Sequence, residues 1–316
     1  MLSSIPGELG GLGKVQILRL DGNQLTGTIP EALGALSELK ELLMHHNKLT
    51  GSIPGVLRGL GKLEQLWLNG NQLSGSIPGE LGGLGKVQIL RLDGNQLTGT
   101  IPEALGALSE LKNLYMNDNK LTGSIPGVLG GLGKLEELWV NGNQLSGSIP
   151  GELGGLGKVQ TLRLDGNQLT GSIPGVLGAL GKLEGLGLSG NALSGPIPKA
   201  LGALSKLEIL VINDNKLTGS IPHEFGALRN LKTLKIDSNS LTGGPTRGES
   251  LDSWRARLRQ QEQATEREHP TAENPAVRTS SSTQGDKPGN PDGATTEPIS
   301  GSSREADMDH MTQVQI

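Results

Sequence analysis

The chain has 316 residues, among them 50 glycines, five aromatic residues and no cysteine, and its formal charge at neutral pH is −4. Aromatic side chains usually form the largest pieces of a buried core, so their scarcity in so long a chain excludes an ordinary globule built around one centre. The lack of cysteine removes disulfides, thiolate metal sites and thiol nucleophiles, and so small a charge leaves no electrostatic footprint for nucleic acid or an anionic membrane.

At the N-terminus, Leu2-Ser3-Ser4-Ile5-Pro6 matches half of a unit that returns as Leu73-Ser74-Gly75-Ser76-Ile77-Pro78, so the chain opens part-way through a repeat. The opening residues lack the basic and apolar regions of a secretory leader, and no run approaches the about 18 apolar residues of a membrane span. As written, the expected location is cytoplasmic with no membrane insertion; it becomes extracellular if the N-terminus is truncated. From there asparagine recurs at one constant interval, at Asn23, Asn47, Asn71, Asn95, Asn119, Asn143, Asn167, Asn191, Asn215 and Asn239. Around each the same frame returns: Val15-x-x-Leu18-x-Leu20-x-x-Asn23-x-Leu25-x-Gly27-x-Ile29-Pro30-x-x-Leu33-Gly34-x-Leu36 in the first full copy.

Leu18-x-Leu20 alternates with period two, which predicts a short strand with its leucines inward and its other residues outward. Asn23 and its equivalents are polar among apolar positions and are read as buried, with their amides bonded to backbone groups of neighbouring coils, because an unpaired buried amide costs ~1–3 kcal/mol. Gly27 supplies unusual backbone freedom, and Ile29-Pro30 favours an extended segment. Leu25, Ile29, Leu33 and Leu36 continue the inward row, so stacked coils bury a leucine column that no single coil could close. Phe225, at a Leu33-type position, is the one large exception.

The frame resembles the plant-type leucine-rich repeat, LxxLxLxxNxLxGxIPxxLGxL, over residues 2–244. The resemblance implies an α/β fold, a right-handed solenoid or horseshoe with a parallel β-sheet on its concave face. It also implies recognition of a protein or peptide there, as in receptor-like kinases, receptor-like proteins and polygalacturonase inhibitors, with a receptor-like or defence role. The cysteine-bearing end segments usual in secreted relatives are missing.

On that concave face the middle outward column reads Arg19, Leu43, Trp67, Arg91, Tyr115, Trp139, Arg163, Gly187, Val211 and Lys235, and holds three of the five aromatic residues. With strands ~4.8 Å apart, Trp67 beside Arg91 and Trp139 beside Arg163 are placed for cation–π contact or for joint use by a ligand. The next column, Asp21, His45, Asn69, Asp93, Asn117 and their successors, is polar throughout. The candidate ligand-binding residues are Arg19, Leu43, His45, Trp67, Arg91, Tyr115, Asn117, Trp139 and Arg163, with the contacts expected in repeats two to seven. Residues 7–78 and 79–150 are copies that differ at seven positions, Glu41/Asn113, Leu43/Tyr115, His45/Asn117, His46/Asp118, Arg58/Gly130, Gln65/Glu137 and Leu68/Val140. Five of the seven lie on the strand face or its turn.

The repeats stop near Gly243-Gly244-Pro245. Residues 1–244 carry 20 basic and 20 acidic residues, whereas 245–316 carry 8 and 12, which accounts for the net −4. Ser250 is placed to start a helix reaching about Glu268, with Leu251, Trp254 and Leu258 on one face, so 245–268 is read as a possible capping helix. The polar stretch 269–316 is read as disordered. Nothing points to an enzyme, a metal or a cofactor. Gly10-Gly11-Leu12-Gly13-Lys14 departs from a phosphate loop because Glu8 and Val15 stand where glycine and a hydroxyl are needed. His45-His46 has no third ligand at a recognisable spacing and is read as a pair of surface histidines. Rival readings are a glycan or cell-wall binder, a truncated fragment, and a non-selected product of repeat expansion; the ligand and oligomeric state are left open.

Overall fold

The computed structural model describes residues 4–268, with the side chains of 262 and 264–268 outside that description; the reading of 269–316 as disordered lies outside the described residues. The chain divides into two units after Thr265, and every side-chain contact described below belongs to the first. Ten three-residue strands, from Ile17–Arg19 to Thr233–Lys235, form one parallel sheet in sequence order. Each residue pairs with its equivalent in the next coil, as in Leu18↔Leu42 and Leu210↔Leu234. The central leucine of the first nine strands is buried, Leu234 partly so. The period-two expectation is therefore met with strands of minimal length.

The asparagine column ties successive coils together. Asn47 Oδ1 accepts from Leu25 N–H at 3.1 Å, while its Nδ2 donates to Leu20 O of the preceding coil at 2.9 Å and to Met44 O of its own at 3.2 Å. The pattern repeats through Asn239, which accepts from Leu217 N–H and donates to Ile212 O. Asn47 to Asn167 are buried. Asn23 is exposed and donates within its own turn, to Leu20 O and Asp21 O. The expected burial is met only in part at Asn191, Asn215 and Asn239, which are half-buried, and fails at Asn23, where among the described residues only the short segment from Ser4 precedes that rung.

The Gly27-type glycine has φ between 75° and 84° in all ten coils, a left-handed conformation that other residues adopt only with strain. Proline then fixes an extended entry to a five-residue 3-10 turn on the outer side, Glu31–Ala35 in the first full copy, whose Leu33 is fully buried. Phe225 takes the same place in His223–Ala227 and is equally buried. Between the two sides run short flank strands, Ser74–Ser76 with Gln96–Thr98 and six more from Thr122–Gly123 to Ser240–Thr242. These pair out of step with the frame, as in Ser148↔Thr170, where the equivalent of Ser148 would be Ser172; the flank thus slides by two positions against the sheet register.

The one α-helix among the described residues, Leu251–Glu268, follows the last coil. Ser250 Oγ accepts from Ser253 N–H at 3.1 Å, satisfying a free N-terminal donor. Trp254 is fully buried and donates from Nε1 to Gly243 O at 2.9 Å, and Leu258 is buried beside it. Arg255, unforeseen in the sequence, is also buried: Nη1 donates to Leu228 O at 2.7 Å and Leu231 O at 2.9 Å, and Nη2 meets Asp252. These bonds take up carbonyls at the end of the stack that no further coil engages among the described residues. No described helix is long and apolar enough to cross a membrane.

Candidate functional site

The outward column of the ten-stranded sheet forms a row of stacked side chains. His45 and Trp67 lie 5.2 Å apart between ring centroids. The Arg91 guanidinium sits 5.3 Å from the Trp67 ring and 4.9 Å from the Tyr115 ring, sandwiched between them. Tyr115 meets Trp139 edge to face at 5.1 Å, and Arg163 lies 5.5 Å from the other side of Trp139. The row arises because strand register sets equivalent side chains of successive coils directly opposite each other, Trp67↔Arg91, Arg91↔Tyr115, Tyr115↔Trp139 and Arg163↔Trp139.

The polar groups of Arg91 and Tyr115 are engaged from within, whereas His45 Nδ1, Trp67 Nε1 and Trp139 Nε1 are buried without a hydrogen-bond partner. Asp93 binds Arg91 through both Nε and Nη2, each at 3.2 Å. Tyr115 donates to Glu137 at 2.9 Å and accepts from Asn113 Nδ2 at 3.2 Å. Burial and then the bond to Glu137 hold the Tyr115 hydroxyl well above the ordinary phenol range, so it stays protonated as a donor. Burial likewise holds His45 below its ordinary value, with Asp21, 3.6 Å away, opposing the shift.

The row ends at Arg163, because the following strand, Gly185–Gly187, carries no side chain on its outward positions. A hollow of about 620 Å³ opens there, with Trp139, Arg163 and Asp165 on one side and Ile209, Val211 and Lys235 on the other. Ile209 is 46% exposed, much as Ile17 is (42%) at the same place in the first strand. Asp165 leans across the floor: Oδ1 accepts from Ser189 N–H at 3.2 Å and Ser189 Oγ at 3.0 Å, while Oδ2 takes Arg163 Nε at 3.3 Å.

Of the sequence-nominated residues, His45, Trp67, Arg91, Tyr115, Trp139 and Arg163 join in one row, and Trp139 and Arg163 also line the hollow. Arg19 flanks the row at its N-terminal end, opposite Leu43. Leu43 is only 6% exposed, against the expectation of a ligand contact, because Arg19 and Trp67 flank it in register. Asn117 donates to Asp118 at 2.7 Å, beside the row. The histidine pair divides: His46 is exposed, but His45 is half-buried, since the Trp67 ring covers it. Gly185, Gly187, Ile209, Val211 and Lys235 were not nominated. Their signal, a strand with glycine at both outward positions, was present in the sequence but registers there only as the absence of a side chain.

Coils stacked through an asparagine column around a leucine core define a repeat solenoid. Sequence profiles described as leucine rich repeat match residues 2–73, 85–145, 158–180, 182–204 and 206–228, and the chain belongs to that family. Among solved structures it is similar to the ectodomain of the Arabidopsis thaliana receptor kinase GASSHO1/SCHENGEN3 in complex with CASPARIAN STRIP INTEGRITY FACTOR 2 (38% identity, TM-score 0.65, 75% of this chain, 31% of that one). It is also similar to the Arabidopsis receptor kinase HAESA ectodomain in complex with an extended IDA peptide hormone (36%, 0.71, 76% and 41%) and to a plant ice-binding protein (32%, 0.62, 72% and 72%). The chain thus spans well under half of the two receptor ectodomains. Curated proteins returned no match.

Proposed function

We propose that this chain is a non-catalytic recognition module that binds a peptide or an extended protein segment along its concave strand face, in a receptor-like or defence setting. The observation that carries the reading is the row from His45 to Arg163 running into the hollow. Tryptophan, tyrosine and arginine are the residue types that dominate binding hot spots, and here they pack against one another in the chain without a ligand, a preorganisation that lowers the entropy cost of binding. The hollow adds a place for one ligand side chain, with Lys235 and Ile209 at its rim. That receptor ectodomains of the same repeat type are peptide-bound supports the assignment.

Panning a random peptide library on the purified full chain tests it. Selected peptides should bind the native protein and lose ~2 kcal/mol of affinity on Trp139→Ala with melting unchanged. Displacement by oligosaccharides and not by peptides, or no enriched peptide at all, would reject the reading.

A second reading has its own observation. The flank presents serine or threonine at Thr26, Thr50, Ser74, Thr98 and every later equivalent, nearly all exposed, and the similar plant ice-binding protein is covered over most of its length. Ice-growth inhibition by the purified chain, lost when flank threonines become lysine, would favour it over the concave-face reading.

A further inference from the structure

Three arginines occupy equivalent positions on the sheet, Arg19, Arg91 and Arg163, and differ in what the next strand sets against them. Arg19 faces Leu43, Arg91 faces Tyr115, and Arg163 faces Gly187. Arg91 is sandwiched between two rings and its side chain is 30% exposed; Arg163 has a ring on one side alone and is 44% exposed. The carboxylate two positions on differs in step. Asp93 engages two nitrogens of Arg91, whereas Asp165 gives Arg163 one oxygen and sends the other to Ser189.

The geometry points to an aromatic side chain of the ligand as the occupant of the hollow, seated over Gly185 beside the Asp165 carboxylate and stacked on the open face of Arg163, as Tyr115 stacks on Arg91. This names the ligand chemistry for the peptide reading above and rests on it. A planar ring fits for two reasons. The guanidinium face is flat, and rings bind it through their negative π surface; on the opposite side Ile209 and Val211 offer apolar surface to the ring's other face, with Lys235 at the rim. Gly187 is buried because the Asp165 carboxylate takes the place of its missing Cβ, so the open floor of the hollow is at Gly185 beside it. A Cβ at Gly187 would lie 2.3 Å from Asp165 Oδ2, so any side chain at 187 would push the carboxylate back toward the position Asp93 holds.

The test uses the full chain and two small probes, N-acetyltyrosinamide and N-acetylleucinamide, followed by saturation-transfer NMR. The tyrosine amide should bind about fivefold more tightly than the leucine amide. That preference should vanish in Gly187→Tyr, which supplies the ring internally, and in Arg163→Gln, which keeps the backbone unchanged should Gly187→Tyr fail to fold. It should persist in Trp67→Ala, which excludes stacking elsewhere on the row. Equal binding of both probes, or a preference untouched by Arg163→Gln, overturns the inference. The two readings fail separately. Selected peptides that lack an aromatic residue and bind Gly187→Tyr as well as the native chain remove the aromatic seat and leave peptide recognition standing, while a tyrosine preference without any selected peptide does the reverse.

Discussion

Residues 7–78 and 79–150 share 65 of 72 positions (72 − 7), yet three of their seven differences belong to one hydrogen-bonded unit. In the second copy Asn113 donates to Tyr115, and Tyr115 donates to Glu137. The first copy holds Glu41, Leu43 and Gln65 at those places, with no hydroxyl to join them, and Glu41 Oε2 is buried without a hydrogen-bond partner. The second copy's tyrosine also closes the sandwich on Arg91, whereas Arg19 has a leucine opposite. The repeat frame changes at two places between copies, Leu68/Val140 in the leucine row and Arg58/Gly130 at the glycine of the outer turn, and the asparagine column is unchanged. Change on the strand face is therefore correlated through contacts, because substituting one member of a bonded set strands the others.

The comparison can be broken or sharpened experimentally. The largest effect is expected away from the face, where a Cβ at Gly130 would stand 2.0 Å from the Glu152 carbonyl oxygen although the first copy carries Arg58 at that place. Gly130→Arg should cost about 3 kcal/mol in urea denaturation through overpacking. Native-like stability would mean that the outer turns of the two copies are interchangeable.

Next come the equivalent tryptophans. Trp139 borders the hollow and Trp67 does not. For peptides selected on the native chain, Trp139→Ala should weaken binding by ~2 kcal/mol and Trp67→Ala by less than half of that. Equal losses would place the contacts along the whole row instead of at its C-terminal end.

Tyr115→Leu should then destabilise by about 1 kcal/mol, since it removes a half-buried ring and a hydrogen bond to a charged partner. Adding Glu137→Gln, which restores the first copy's residue, should recover part of that loss, and a double-mutant cycle reads the coupling directly. Strict additivity would show the two changes to be independent.

The smallest effect concerns His45, replaced by Asn117 in the second copy. Its folded-state value lies below the ordinary 6.5 because of burial, so the unfolded chain takes up the proton first. The stability it contributes is complete above 6.5 and is lost as pH falls from 6.5 toward the lower folded-state value. His45→Asn should flatten the pH dependence of stability in that range, and an unchanged profile from thermal melts would show that the histidine is not titrating against the fold.

Much of the fold could be read from the sequence because each position of the repeat frame has a single physical task. One asparagine per repeat, glycine at φ near 76° and paired leucines recur with the same geometry in coil after coil. The site was legible in part. Trp67, Arg91, Tyr115, Trp139 and Arg163 stand out by type and phase, and register alone makes them neighbours. The burial of Leu43 and the partial burial of His45 were not legible, because exposure there depends on the size of side chains one coil away and not on their own phase. The hollow at Gly187 went unread for a related reason: a cavity is made by what its neighbours leave unfilled, and Arg255 escaped because its partners are carbonyls of a distant turn.

The repeat period by itself determined that this chain stacks into a leucine-filled solenoid, since strand alternation and the fixed turn residues leave each side chain one side to face. Tertiary structure decided which outward side chains saturate one another and which remain open. That choice depends on distances between atoms a full repeat apart in the chain and on where a carboxylate such as Asp165 finds its bonds, and neither is encoded in local pattern.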